Sequence, residues 1–216
     1  MPTAEPSHVL TPDAVVDASA PRKRPRPGER REQILQALAA MLERPGFDRI
    51  TTAALAAELG VSEAALYRHF ASKAQMFEAL IDFVETGVFG LIGQVATREP
   101  PGPAQAAHMV RLVLQFAEKN RGLTRVMVGD ALVLEHERLL QRMNQWFDKL
   151  EAALRQSLRD GAALDGAALT PDADAKVQAS TLAAFVAGRL QRFVRSGFRR
   201  SPLELLDPCL TRILLN

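Results

Sequence analysis

From residue 31 onward, apolar side chains recur mostly at three- and four-residue spacing. Ile34, Leu35, Leu38, Met41 and Leu42 share one face of a first helix, which Pro45-Gly46 stops. Thr51 or Thr52 can cap a second helix with Leu55, Ala56 and Leu59 facing inward. Gly60 ends it, because a left-handed terminating residue strains glycine least. Ser62 caps a third short helix, with Glu63 at the positive end of its dipole. Ser72 and Gln75 stand at capping-box spacing at the start of a long apolar helix, broken by "REPPGP" at 98–103.

Further amphipathic helices are predicted over about 104–119, 123–134 and 137–159. The stretch "DGAALDGAAL" predicts a loop before a Thr170-Pro171 helix start. The helix from about 172 to 196 is apolar on two sides. Leu182, Phe185, Val186, Phe193 and Val194 suit the chain's own core, and Val177, Ala184 and Gly188 form a second, small-residue stripe. A helix with two apolar sides usually serves its own core and a partner. Ser201-Pro202-Leu203-Glu204 reads as a further capping box, and Pro208 should kink or restart the last helix. No alternating strand pattern persists, so the expected fold is all-α.

Charge changes this picture locally. The net charge is only +2, yet residues 22–73 hold ten Lys/Arg and six Asp/Glu, an excess of +4. Residues 1–28 carry six prolines and read as a disordered tail with a basic end, the run "PRKRPRPG", whose default reading is a solvated charge run. The single cysteine, Cys209, rules out an intrachain disulfide and suits a reducing cytoplasm. No run approaches 18 uninterrupted apolar residues, which argues against a membrane span.

Two short helices joined at a glycine, with basic flanks, fit a helix-turn-helix for DNA as well as a plain helical hairpin. For DNA the chemistry is favourable. Leu55, Leu59, Val61, Leu66 and Phe70 can lock the helices together, and Ala64 and Ala65 are small enough for a deep seat in the major groove. Thr51, Thr52, Ser62, Glu63, Tyr67, His69 and Lys73 edge the same surface, most of them as donors for phosphate oxygens, and Arg68 is placed to read a guanine edge. Tyr67 also fits half-buried core, and His69 a plain surface histidine. Enzyme chemistry has little to stand on. His8, His69, His108 and His136 lack metal-ligand spacing, Cys209 has no evident base partner, and no phosphate-cradling glycine loop occurs. No cofactor is expected.

The stretch "TTAALAAELGVSEAALYRHFASKAQMFEAL", with Tyr67-Arg68-His69-Phe70 followed by Ser72-Lys73, resembles the DNA-binding segment of the TetR family of bacterial regulators. The resemblance implies a TetR-like all-α fold: residues 29–73 as a three-helix DNA-binding domain and 74–216 as a helical dimerisation and partner-binding domain. "RREQILQALAAMLE", "KNRGLTRVMVGDALVLEHERLLQRMNQWFDKLEAALRQ" and "RFVRSGFRRSP" extend the likeness to the nucleoid occlusion factors of that family. What this implies is a cytoplasmic, nucleoid-associated homodimer on palindromic double-stranded DNA, with pairing of dimers left open, which inhibits FtsZ ring assembly while DNA-bound. It further implies an FtsZ-facing groove at Phe83, Leu112, Lys119 and Asn120. Phe83 and Leu112 equally fit core packing. Lys119 stands where the family pattern has arginine, and Gln115 where it has glycine. The alternative within the family is a ligand-responsive repressor whose pocket would be lined by Met127, Met143, Trp146 and Phe147, residues that also fit a plain core.

Overall fold

The computed structural model describes residues 29–44, 50–165 and 171–214, so the expectations for the 1–28 tail, the Pro45-Gly46 stop and the Thr170 cap lie outside the described residues. Helices run over Glu29–Glu43 (α1), Thr52–Leu59 (α2), Glu63–Tyr67 (α3), Lys73–Arg98 (α4), Pro103–Lys119 (α5), Arg121–Met127 (α6), Glu137–Asp165 (α7), Pro171–Arg195 (α8) and Leu206–Leu214 (α9). A 3-10 turn lies at Asp130–Leu132, and no strand occurs among the described residues.

Most helix starts follow from local chemistry. Thr51 caps α2 by accepting from the Ala54 N–H, Ser62 caps α3 by accepting from Ala65, and Ser72 caps α4 by accepting from Gln75. Gln75 reaches back to the Ala71 N–H at 2.8 Å, one residue before the position a strict capping box would use. α4 is the spine. It is long and apolar enough to cross a membrane by length and composition, yet it packs against α1, α5, α6 and α7 through Met76, Phe77, Leu80, Ile81, Val84, Val88 and Ile92. α7 runs beside it in the same direction, fastened by Arg138–Glu78 (2.8 Å), Arg142–Asp82 (2.8 Å), Arg142–Glu85 (3.0 Å) and Lys149–Glu85. Hydrogen bonding from Lys149, then from Arg142, holds the Glu85 carboxyl below its ordinary pKa against an opposing desolvation.

Three expectations are corrected. The helix expected over 123–134 breaks at Gly129, which adopts φ 78°, so α6 ends at Met127 and the 3-10 turn follows. The loop expected from Asp160 is helical as far as Asp165. Gly161 there lies so close to Gly102 that a Cβ would sit 2.4 Å from the Gly102 Cα, a backbone contact that only glycine permits. The Ser201–Glu204 capping box does not form. The Ser201 hydroxyl donates to Glu118, Leu205 turns the chain at φ 53°, and α9 starts at Leu206 with Pro208 in its first turn. On α8, Leu182, Val186 and Leu190 enter the core while Val177, Ala184 and Gly188 are exposed.

Candidate nucleic-acid interface and adjoining groove

The α2–α3 hairpin takes its shape from one glycine. Gly60 adopts φ 64° and ψ 38°, and the Val61 N–H closes back on the Ala56 carbonyl at 3.0 Å, a Schellman-type stop that turns the chain directly into α3. Leu55, Ala56, Leu66 and Phe70 are buried against Ile34, Leu38, Met41 and Leu42 of α1. Arg31 lies 4.6 Å over the Phe70 ring, and Arg44 grips the Glu58 carboxylate at 3.0 and 2.5 Å. That hydrogen bond is the main reason the Glu58 carboxyl is held below its ordinary pKa.

With Leu66 and Phe70 inward, the opposite edge of α3 is in solvent. Ser62, Glu63, Ala64, Tyr67, Arg68 and His69 are exposed and Ala65 is half-buried. Tyr67 is 46% exposed, which settles it outside the core. The side chains of Tyr67, Arg68 and His69 make no hydrogen bond or ion pair among the described residues, and the Thr51 and Ser62 hydroxyls accept cap bonds while their O–H groups remain able to donate. Two expected phosphate donors are engaged elsewhere. The Thr52 hydroxyl donates to Glu63 at 2.5 Å, joining the starts of α2 and α3. The Lys73 amine pairs with Glu135 in the segment before α7, a largely buried contact with side-chain exposures of 19% and 11%. Neither pairing is legible in the sequence, since its members are 11 and 62 residues apart.

A second feature lies between α1, α4 and α6. A cavity of about 550 Å³ is walled by Leu35 and Ala39 of α1, Leu80 and Phe83 of α4, and Asn120 and Leu123 at the start of α6, with Arg31, Glu32, Gln36 and Glu43 at its rim. Phe83 is 56% exposed, too open for a core residue of its size, and Asn120 donates from its amide to the Phe116 carbonyl at 2.7 Å. Thus Phe83 and Asn120 meet in one groove. Leu112 instead packs, partly buried, on the hydrophobic core, and Lys119 is exposed beside Asn120 without lining the cavity. The α1 wall escaped the sequence reading, which assigned Leu35 to the buried face. The signal was the small pair Ala39 and Gly122, where backbones approach so closely that a Gly122 Cβ would lie 2.0 Å from the Ala39 oxygen. Among the residues named for a ligand pocket, Met127, Met143 and Phe147 line a separate cavity of about 120 Å³, while Trp146 is fully buried against Phe89 and Phe147.

Residues 34–80 match the model of the bacterial regulatory proteins of the tetR family, and residues 104–213 match a tetracyclin repressor-like C-terminal domain of the SlmA-like type. The chain is 49% identical over 175 residues to the nucleoid occlusion factor SlmA of Idiomarina loihiensis, covering 81% of this chain and 88% of that one. It is 49% identical over 179 residues to SlmA of Photobacterium profundum, covering 82% and 90%. Among solved structures, the regulator FadR from Bacillus subtilis with stearoyl-CoA superposes with a TM-score of 0.67 at 14% identity, over 85% of this chain and 97% of that one. AibR with isovaleryl coenzyme A and operator DNA gives 0.62 at 19% identity, over 86% and 98%. At those identities the two structures speak for the fold. The chain belongs to the TetR family of bacterial regulatory proteins, within the group of the nucleoid occlusion factor SlmA.

Proposed function

We propose that the protein is a sequence-specific DNA-binding nucleoid occlusion factor, a cytoplasmic homodimer at the nucleoid that inhibits FtsZ ring assembly while DNA-bound. The observation that carries the DNA half is the α3 edge: small Ala64 and Ala65 flanked by exposed Ser62, Tyr67, Arg68 and His69, over a hairpin locked by Gly60. Residues 29–73 form the reading head and 74–216 the body that pairs and meets FtsZ. The exposed Val177, Ala184 and Gly188 stripe of α8 supports pairing with a second copy. Two α3 helices set about 34–36 Å apart reach successive major grooves and match a palindrome. Thr51, Ser62, Tyr67 and His69 hold phosphates, Arg68 reads a base, and Ala64 and Ala65 let the helix sit close. Glu63 keeps Thr52 in place, and Lys73 reaches a phosphate only by exchanging Glu135 for it. FtsZ enters the groove at Phe83 and Asn120, with Lys119 at its edge; Leu112 supports that wall from the core side.

The test uses purified protein, palindromic DNA and FtsZ. DNA-dependent inhibition of FtsZ assembly is expected, with DNA affinity falling about a thousandfold or more from low to moderate salt for six to eight phosphate contacts. Release from DNA by a small acyl-CoA or other metabolite, with FtsZ assembly untouched, would establish the ligand-responsive repressor instead. The second reading has less support at the pocket named for it, because the cavity at Met127, Met143 and Phe147 is about 120 Å³, well below the usual roughly 300–1,000 Å³ of small-molecule sites.

A further inference from the structure

The end of α8 is built as an unusual turn. Gly197 and Phe198 both adopt left-handed backbone, φ 62° and 63°, and Phe198 does so without glycine's freedom. The Phe198 N–H closes on the Phe193 carbonyl at 2.9 Å, and the Ser196 hydroxyl oxygen accepts from the N–H groups of both Arg199 (3.1 Å) and Arg200 (2.9 Å). The consequence is a placed ring. Phe198 stacks edge-on against Phe193 at 5.1 Å and lies under two guanidinium groups of α6, Arg125 at 5.4 Å and Arg121 at 6.0 Å. Next along the chain, Ser201 is tied to Glu118 at the end of α5.

These ties gather Lys119, Arg121, Arg199 and Arg200 into one surface. All four are exposed, and none makes an ion pair among the described residues. Of the neighbouring carboxylates, Asp130 is offset by Arg125 at 3.1 Å, while Glu118, which accepts from the neutral Ser201 hydroxyl, and Glu43, beside Gly122, stand as two carboxylates against these four cations, so the surface is net positive. The cationic surface adjoins the apolar groove at Lys119 and Arg121, the chain neighbours of Asn120, which lines the groove, and the Phe198–Arg121 and Ser201–Glu118 contacts bring the Arg199-Arg200 turn to that corner.

We infer that this surface is the charged half of the groove, and that the occupant is a peptide segment carrying apolar anchor residues followed by a run of carboxylates. The apolar anchors fill the space among Leu35, Leu80, Phe83 and Leu123, and the carboxylates lie over Arg121, Arg199 and Arg200, where Phe198 fixes the α6 guanidiniums. A polyanion without apolar side chains, such as DNA, leaves the concave apolar half empty, and a flat bilayer does not enter it. The inference rests on the groove being the FtsZ site, and extends it to residues outside that reading.

The test measures capture of purified FtsZ by the full-length, operator-bound protein at 50 and 500 mM salt, comparing wild type, Arg199→Glu/Arg200→Glu, the milder Arg199→Gln/Arg200→Gln, and Phe83→Ala. The charge-reversed variant should bind FtsZ at least about tenfold more weakly at low salt, the gap narrowing to about threefold at high salt. The glutamine pair should fall between, and operator affinity should stay within about twofold for all. Phe83→Ala should weaken capture at both salt concentrations alike. Equal capture by wild type and both arginine variants, with the same salt slope, overturns the inference while leaving the groove reading intact. Loss of operator binding in the arginine variants, or loss of binding only to phosphatidylglycerol vesicles, assigns the surface to DNA or to membrane and also overturns it. Failure of wild type and Phe83→Ala alike to capture FtsZ brings down the groove reading, and this inference with it.

Discussion

The contact between α1 and α6 offers a sharp test, because it turns on one missing carbon. A Cβ on Gly122 would lie 2.0 Å from the Ala39 oxygen, 2.9 Å from its carbonyl carbon and 3.3 Å from Cγ of Glu43. An ordinary carbon–oxygen approach is about 3.3 Å, so Gly122→Ala must part the two helices by roughly 1.3 Å. The obstacle is backbone, which cannot swing aside like a side chain. Leu123, Val126 and Met127 on α6 are buried, so the parting loosens their packing against α1 and α4. Overpacking of this kind costs about 3 kcal/mol at the upper end, and alanine's better helix propensity returns about 1 kcal/mol. The net is about 2 kcal/mol, a fall of roughly 4–8 °C in Tm for a chain of this size. Gly90→Ala is the control. Nothing lies within 4 Å of a Cβ there, so only propensity acts and stability should rise by about 0.5–1 kcal/mol. Calorimetry or urea unfolding at one fixed protein concentration measures both. A Gly122→Ala protein as stable as wild type would refute the close approach of α1 and α6, and with it the shape of the groove between them.

The other predictions concern the reading head and its attachment. Leu66→Ala removes a side chain with no exposure from the hairpin core and should cost about 2–5 kcal/mol, read by chemical denaturation and by loss of DNA binding to every sequence. Ser62→Ala removes the α3 cap, worth about 1 kcal/mol, and should accelerate amide exchange in α3 before it alters global unfolding. Lys73→Met leaves the Glu135 carboxylate largely buried without its cation and should destabilise by about 1–3 kcal/mol, whereas Lys73→Met with Glu135→Leu should recover most of that loss. A double variant no better than the single one would show that the loss does not come from the unpaired Glu135 carboxylate. Glu85 has a folded pKa below its ordinary 4.5, so its stabilisation is present above that value and disappears as pH falls through the folded one. Glu85→Gln should therefore be less stable than wild type at pH 7, with the difference closing below about pH 4.5 in a pH series of urea midpoints.

The parts legible in the sequence are those decided within a few residues. Thr51, Ser62 and Ser72 cap the helices they precede, and Gly60 is left-handed, because a cap is a bond to a donor two or three positions ahead. The inward and outward edges of α3 follow from Leu66 and Phe70 alone. Glycine was misread where its reason lay far away in the chain. Gly129 was expected to continue a helix, yet it turns at φ 78° with Leu140 3.0 Å from where its Cβ would be. Gly161 suits the opening of a loop by its neighbours, yet it lies within α7, and the residue there is glycine because Gly102 occupies the space of a side chain. Both are decided by the partner across the interface, and spacing carries no record of that partner.

The same division separates the two halves of the candidate site. A reading helix is a local object, so its exposed residues could be named from the hairpin pattern. A groove exists only once α1, α4 and α6 assemble, and its deciding residues include ones with no polar chemistry to announce them: Leu35, Ala39 and Leu123. Lys73 shows the limit most clearly. Its place at the start of α4 suits a phosphate, and its charge is already committed to Glu135, 62 residues on. A lysine bound in this way contributes to DNA affinity only the difference between two partners, so its removal should lower the salt slope by less than one full contact. Residue type and position therefore identify the candidates for binding, and the contacts made by the rest of the fold determine how much each has left to give.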